Sequence, residues 1–290
     1  MRIAVVGVGL MGSQIGCEYA LGGHEVTFVA RSAERASPKI EQAFSLAVKF
    51  GLVNEDEAAS VRARVGLVEH LDEAAEDTEV LAESIPEDLD TKAQVLGAAA
   101  ERMPGSILAS NTSSIPLTRL GEACGASERT VGVHYWNPPL LMPPVEIISG
   151  ERTDPRVVER MRTVIAELGK EPILVKRDVS GFIWNRLQMA LLREALWLVE
   201  NDVADPRTVD QVVRSGLARR YRYTGPFETV ALGGVDAWTR SAANIFPDLS
   251  TEAAPAELKR WLTSSKVELE VAREGRDRGL ASELTRRSDA

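Results

Sequence analysis

The stretch Ile3-Ala4-Val5-Val6-Gly7-Val8-Gly9-Leu10-Met11-Gly12 decides the fold. Residues 2–6 form a short apolar run that halts at a glycine, the pattern of a strand buried inside a parallel sheet. From Met11 to Leu21 the apolar residues recur at helical spacing, and Gly22-Gly23 ends the run. His24 to Val29 reads as a second strand. Strand, glycine turn, helix and strand within about 30 residues make a βαβ unit.

Gly7, Gly9 and Gly12 satisfy G-x-G-x-x-G at the turn of that unit. The first glycine permits the tight turn, the second lets a pyrophosphate approach the backbone, and the third lets helix pack on strand. The helix beyond offers N–H groups and a positive dipole end to phosphates. Gly7, Gly9, Leu10, Met11 and Gly12 are therefore candidate dinucleotide contacts. The pattern alone is weak, but its place after a strand and before a helix makes it specific.

The end of the second strand reports on the kind of dinucleotide. An NAD site carries Asp or Glu there, about 20 residues past the loop, to bind the adenosine ribose. Here the strand ends Val29-Ala30-Arg31-Ser32, with no carboxylate before Glu34. Ala30 removes an anion, Arg31 supplies a guanidinium for a 2′-phosphate, and Ser32 adds a hydroxyl. These three residues favour NADP(H) over NAD(H).

Outward from the loop the α/β alternation continues. Helical pattern covers Pro38–Phe50, with Ser37 a possible N-cap, then Glu55–Ala63, Asp88–Arg102 and Asp154–Leu168. Strands are expected at Val65–Val68, Glu79–Ala82, Ser106–Ser110, Thr130–His134, Val145–Ser149 and Pro172–Lys176. After Asp178 the strand signal fades. Phe182–Val199, Asp205–Arg214, Phe227–Leu232, Asp236–Ile245 and Ala256–Gly275 look helical, and the polar last ten residues are expected to fray. The expectation is a Rossmann-type doubly wound α/β domain over 1–178 and an all-helical domain over 179–290.

Composition narrows the function classes. The chain has 290 residues, 44% hydrophobic and 27% charged, with a net charge of −9. That balance argues against a nucleic-acid binder, which needs a basic face. No apolar run nears the roughly 20 residues that span a bilayer. Cys17 and Cys124 have no metal or redox spacing, and His24, His70 and His134 form no metal-ligand cluster. Met1-Arg2 leads straight into the first strand without a signal-peptide pattern, so a cytoplasmic protein is expected.

Four further segments carry chemistry: Ser110-Asn111-Thr112-Ser113-Ser114, His134-Tyr135-Trp136-Asn137-Pro138, Pro144-Val145-Glu146, and Ser180-Gly181-Phe182-Ile183-Trp184-Asn185-Arg186. They supply what oxidation of a carbinol requires. A histidine takes the hydroxyl proton, a carboxylate orients the imidazole, and hydroxyl and amide donors stabilise the oxyanion.

In these segments the chain resembles the 3-hydroxyacyl-CoA dehydrogenase superfamily, over essentially its whole length. The resemblance implies His134 as acid/base, Glu146 as its partner, and Ser113 and Asn185 as groups around the substrate oxygen. It implies that Asn137 supports the histidine loop, and that Glu83 and Asn111 line the cofactor side. It also implies a homodimer through the helical domain, to which Trp184, Leu191, Trp197 and Leu198 offer apolar surface.

Within the superfamily, Pro143-Pro144, Glu83-Ser84-Ile85-Pro86-Glu87-Asp88-Leu89 and Gly216-Leu217-Ala218-Arg219-Arg220-Tyr221 look most like the branch of lambda-crystallin (L-gulonate 3-dehydrogenase) and L-carnitine dehydrogenase. That likeness implies a short polar free 3-hydroxy acid, with Arg220 gripping its carboxylate. The alternative is a CoA or carrier-protein thioester. A non-catalytic crystallin-like or dinucleotide-sensing protein is a third reading, which the intact Ser113, His134, Glu146 and Asn185 argue against. Ala30-Arg31-Ser32 departs from the branch, which normally keeps an acid at this strand end.

Overall fold

The structure is a computed structural model that describes residues 1–252 and 269–288. By its contacts the chain divides into two compact units, residues 1–183 with the segment from 268 onward, and residues 184–267. The sequence boundary at 178 is close to the first break. The C-terminal helix α12 (Leu269–Ser288), however, belongs with the first unit.

The first unit is built on one eight-stranded sheet in the order β3-β2-β1-β4-β5-β6-β7-β8. Its strands are β1 (Arg2–Val6), β2 (Glu25–Val29), β3 (Gly66–Val68), β4 (Val80–Glu83), β5 (Ile107–Ser110), β6 (Thr130–Tyr135), β7 (Pro144–Ser149) and β8 (Glu171–Val175). Six of the seven pairings are parallel, each spanned by a crossover too long for a hairpin. The exception is β6 with β7, which is antiparallel. Only residues 136–143 separate those two strands, too few for a helical crossover, so the chain turns back beside itself.

Two apolar cores flank the sheet. Ile3 and Val5 join α1 (Leu10–Leu21), α2 (Ala33–Lys49), α3 (Glu55–Arg62) and α6 (Pro155–Glu167) on one face. Ala4 and Val6 join α4 (Leu89–Arg102) and α5 (Leu117–Ala123) on the other. Strand side chains alternate between faces, so burial on both sides explains why Ile3 to Val6 is apolar without a break.

Two boundaries differ from expectation. Helix α2 begins at Ala33 rather than Pro38, because the Ser32 Oγ accepts from the Arg35 N–H at 3.3 Å and caps it five residues early. Pro38 is carried inside the helix. The last ten residues do not fray as a whole, since α12 continues to Ser288. Of the helix expected over 256–275, residues 256–268 lie outside the described residues.

The second unit contains α7 (Trp184–Glu200), α8 (Pro206–Val212), a π-helical turn at Val213–Leu217, α9 (Ala218–Tyr221), α10 (Pro226–Gly233) and α11 (Val235–Ile245). Among the described residues it is all helical. Among the described residues no helix is long and apolar enough to cross a membrane.

Candidate active site

The carboxyl ends of β1, β4, β5 and β6 share one edge of the sheet, and the glycine, serine and histidine motifs of the first unit gather there. Gly7, after β1, has φ of +97° and donates its N–H to the Val29 carbonyl at 3.1 Å. A side chain at this φ is strained, and a Cβ would stand 2.5 Å from the Ser84 carbonyl oxygen. The crowding arises because α1 leaves β1 toward one face while α4 leaves β4 toward the other, which makes this the switch point of the sheet. A Cβ at Gly12 would run into the Gly7 carbonyl, so the third glycine lets α1 press on the turn.

Gly9 is different. A Cβ built there meets nothing within 4 Å, so no protein neighbour calls for glycine at this position. Gly9 also caps α1 without a side-chain hydrogen bond, leaving the first-turn N–H groups of Leu10, Met11 and Gly12 without a capping side chain. Open space before bare N–H groups at a helix start fits a pyrophosphate.

Across the edge, His134 Nδ1 lies 2.7 Å from Glu146 Oε2, with both side chains buried. They are register partners on β6 and β7, so the antiparallel turn is what brings them face to face. Glu146 Oε2 also accepts from the Trp136 indole N–H at 3.3 Å, and Oε1 accepts from the Ile183 backbone N–H at 2.9 Å. Gly181 and Phe182 both have positive φ, +78° and +48°. This bend buries the Phe182 ring against the His134 imidazole, with centroids 5.5 Å apart, and aims the Ile183 N–H at the carboxylate. With Glu146 accepting from Nδ1–H, the neutral imidazole keeps its lone pair on Nε2.

The Ser113 loop is ordered by a carboxylate. Glu87 Oε1 accepts from Thr112 Oγ1 at 2.7 Å, from the Ser113 and Ser114 N–H groups at 2.9 and 2.8 Å, and from the Ser114 hydroxyl at 2.9 Å. The Ser113 hydroxyl lies 3.4 Å from the same oxygen. Burial alone would raise the Glu87 carboxyl, but the hydrogen bonds from Thr112 and Ser114 and the nearby Lys92 hold it down to about 2.

Residues 2–179 match the family described as 3-hydroxyacyl-CoA dehydrogenase, NAD binding domain, and residues 181–274 match its C-terminal domain. The chain belongs to the 3-hydroxyacyl-CoA dehydrogenase family. It is accordingly an NAD-dependent oxidoreductase of the CH–OH class, and the loop at Gly9 lies within the matched NAD-binding domain.

Among relatives, the chain is 35% identical over 273 residues to 5-formyl-3-hydroxy-2-methylpyridine 4-carboxylate 5-dehydrogenase of Mesorhizobium japonicum, covering 91% of this chain and 86% of that protein. It is 34% identical over 284 residues to L-carnitine dehydrogenase of Streptomyces griseus, covering 95% and 84%. A crystal structure of the first of these enzymes, described as an NAD+ dependent dismutase, superposes with a TM-score of 0.86 at 29% identity, covering 98% of this chain and 97% of that one.

The remaining family positions have definite places. Glu83 is fully buried, and its carboxylate accepts from Lys92 Nζ and Ser110 Oγ at 2.6 Å each and from the Ile85 N–H at 2.7 Å. It therefore braces the ends of β4 and β5 from beneath. The Asn111 side chain takes the Tyr135 N–H at 2.9 Å and reaches Ser84 Oγ at 3.5 Å, tying β5 to β6 and β4. Asn137 is exposed after β6, followed by a cis peptide to Pro138. Asn185 lies in the first turn of α7 and Arg220 is exposed on α9, both in the second unit.

Sequence reading missed four participants. Glu87 was visible only as part of a motif, with nothing to show that it gathers the serine loop. Trp136 and the Ile183 backbone reach Glu146 through tertiary folding. Glu69, just past β3, sets its Oε1 2.7 Å from the Ala33 N–H at the start of α2. Its one sequence signal was its place just after the strand expected at Val65–Val68; that this strand lies beside β2 is decided by the sheet.

Proposed function

We propose that the protein interconverts short polar 3-hydroxy acids and the matching 3-oxo acids, with His134 as acid/base and Glu146 as its partner. The observation that carries this reading is the buried His134–Glu146 contact of 2.7 Å on the same sheet edge as the NAD loop. When bound, the nicotinamide accepts or returns the hydride. In oxidation, His134 takes the carbinol proton at Nε2 and becomes an imidazolium, which Glu146 stabilises. Trp136 and the Ile183 N–H hold Glu146 so that its Oε2 stays on Nδ1. In reduction, protonated His134 returns the proton. Ser113 and Asn185 serve as donors to the substrate oxygen.

Two features support a free acid. Arg220 offers a guanidinium suited to a carboxylate, and one relative's substrate is named as a carboxylate, while L-carnitine is itself a 3-hydroxy acid. NAD is the family cofactor. Uncharged Ala30 and exposed Arg31 at the end of β2 support acceptance of NADP(H) as well. A homodimer through the second unit is supported by its exposed apolar side chains, among them Leu187 at 61% and Phe227 at 89%. A cytoplasmic location fits a reaction that draws on the nicotinamide pool.

The test is a panel of 3-hydroxy acids, 3-oxo acids and their CoA thioesters, assayed in both directions with both dinucleotides. The expected result is the highest kcat/KM on a free acid. Preference for a thioester would overturn the free-acid reading, and no hydride transfer with any compound would overturn the reaction.

A further inference from the structure

The ladder between β2 and β3 pairs Val29 with Val68, and the Ala30 N–H continues it to the Val68 carbonyl at 3.0 Å. Glu69 therefore leaves β3 level with Ala30, the position at which an NAD site on β2 would carry its acid. Its side chain turns toward β2's loop, where Oε1 accepts from the Ala33 N–H at 2.7 Å. Ser32 Oγ accepts from the Arg35 N–H at 3.3 Å. Two donors at the start of α2 are thus satisfied by the chain itself, one of them by an anion.

A dinucleotide with its pyrophosphate at Gly9 lays its adenosine ribose past the end of β2. There a ribose 2′-OH can donate to Glu69. A 2′-phosphate meets a negative charge and finds the Ala33 donor taken. Arg31 pulls the other way; both charges are exposed, but Glu69 is fixed in place by the Ala33 N–H.

We propose that Glu69 sets the choice between NAD(H) and NADP(H), supplying from β3 the carboxylate that β2 lacks and holding preference on NAD(H). The inference rests on the reading that the dinucleotide binds at Gly7–Gly12. Glu69→Gln removes the charge and keeps a carbonyl oxygen for the Ala33 N–H; Glu69→Ser removes both charge and reach.

The experiment measures Kd for NADH and NADPH by titration calorimetry on the full-length protein and both variants, alongside kcat/KM with each dinucleotide. The wild type is expected to bind NADH more tightly. Both variants are expected to shift the Kd ratio toward NADPH by about 10–100-fold, mostly through tighter NADPH binding. A wild-type preference for NADPH, or an unchanged ratio in both variants, would overturn the role of Glu69. Failure of the wild type to bind either dinucleotide would instead overturn the cofactor site itself.

Discussion

His134 and Glu146 are direct cross-strand partners on the single antiparallel pair of the sheet, and their side chains meet at 2.7 Å in a buried setting. Because Trp136 and the Ile183 N–H also donate to Glu146, the carboxylate is held in place and aimed at Nδ1. Glu146→Gln removes the counter-charge and lets an amide NH2 face Nδ1, so the imidazole is no longer held in its Nδ1–H tautomer or stabilised as a cation. His134→Ala removes the base outright. Both variants are expected to lower kcat by about 10²–10⁴-fold. Steady-state kinetics with circular dichroism checks this; wild-type turnover by His134→Ala would refute the assignment.

The glycines of the loop should separate by function. Gly9→Ala meets open space, so stability is expected to change by less than about 1 kcal/mol. Its methyl group stands where the pyrophosphate must approach, and NADH should bind about 10–100-fold more weakly. Gly12→Ala drives its Cβ into the Gly7 carbonyl and is expected to cost about 2–4 kcal/mol of stability. Thermal unfolding and calorimetry on both variants give the comparison, and equal Tm values would contradict it.

Lys170 links α1 to the turn between β6 and β7. Its Nζ lies 2.7 Å from Glu18 Oε1 on α1 and donates to the Pro139 and Met142 carbonyls at 2.7 and 3.1 Å. Burial raises the Glu18 carboxyl, and Lys170 is the charge that opposes this. Lys170→Ala strands a buried carboxyl and frees the turn, so a loss of about 3–5 kcal/mol is expected. Urea unfolding measures it, and a loss under about 1 kcal/mol would show the pair to be dispensable.

Glu87 makes stability depend on acid. Its carboxyl is held at about 2 against an ordinary 4.5, so its contribution is complete above about pH 4.5 and fades as pH falls toward about 2. A third of the side chain is exposed, at 34%, which brings the expected contribution to about 1–2 kcal/mol after solvent screening. Glu87→Gln should be less stable than wild type at pH 7 and approach it near pH 2. Denaturation at a series of pH values tests this; parallel curves would reject it.

Arg220→Ala tests the substrate reading. On the best free acid, kcat/KM is expected to fall by about 10–1,000-fold, or roughly 1.4–4 kcal/mol. On a thioester lacking a free carboxylate the change should be small. An undiminished rate on the free acid would reject the carboxylate clamp.

Much of this was legible along the chain. Gly7-Val8-Gly9-Leu10-Met11-Gly12 between an apolar strand and a helix determined the βαβ unit, because turn chemistry and hydrophobic period are properties of neighbouring residues. The histidine, glutamate and serine motifs could be named from sequence through the chemistry of their residues and the family resemblance they carry. Tertiary structure decided what those residues touch. Glu69 reaches the end of β2 because β3 lies beside it in the sheet, although 39 residues separate Glu69 from Ala30 in the numbering. Glu87 gathers the Ser113 loop across adjacent strand ends, and the Ile183 N–H reaches Glu146 through a bend at Phe182. His134 meets Glu146 because the eight residues between their strands are too few for a crossover. Local spacing encodes periodicity and turns; strand order, direction and register arise only when the sheet assembles, and they set the partner of every charged group at this edge.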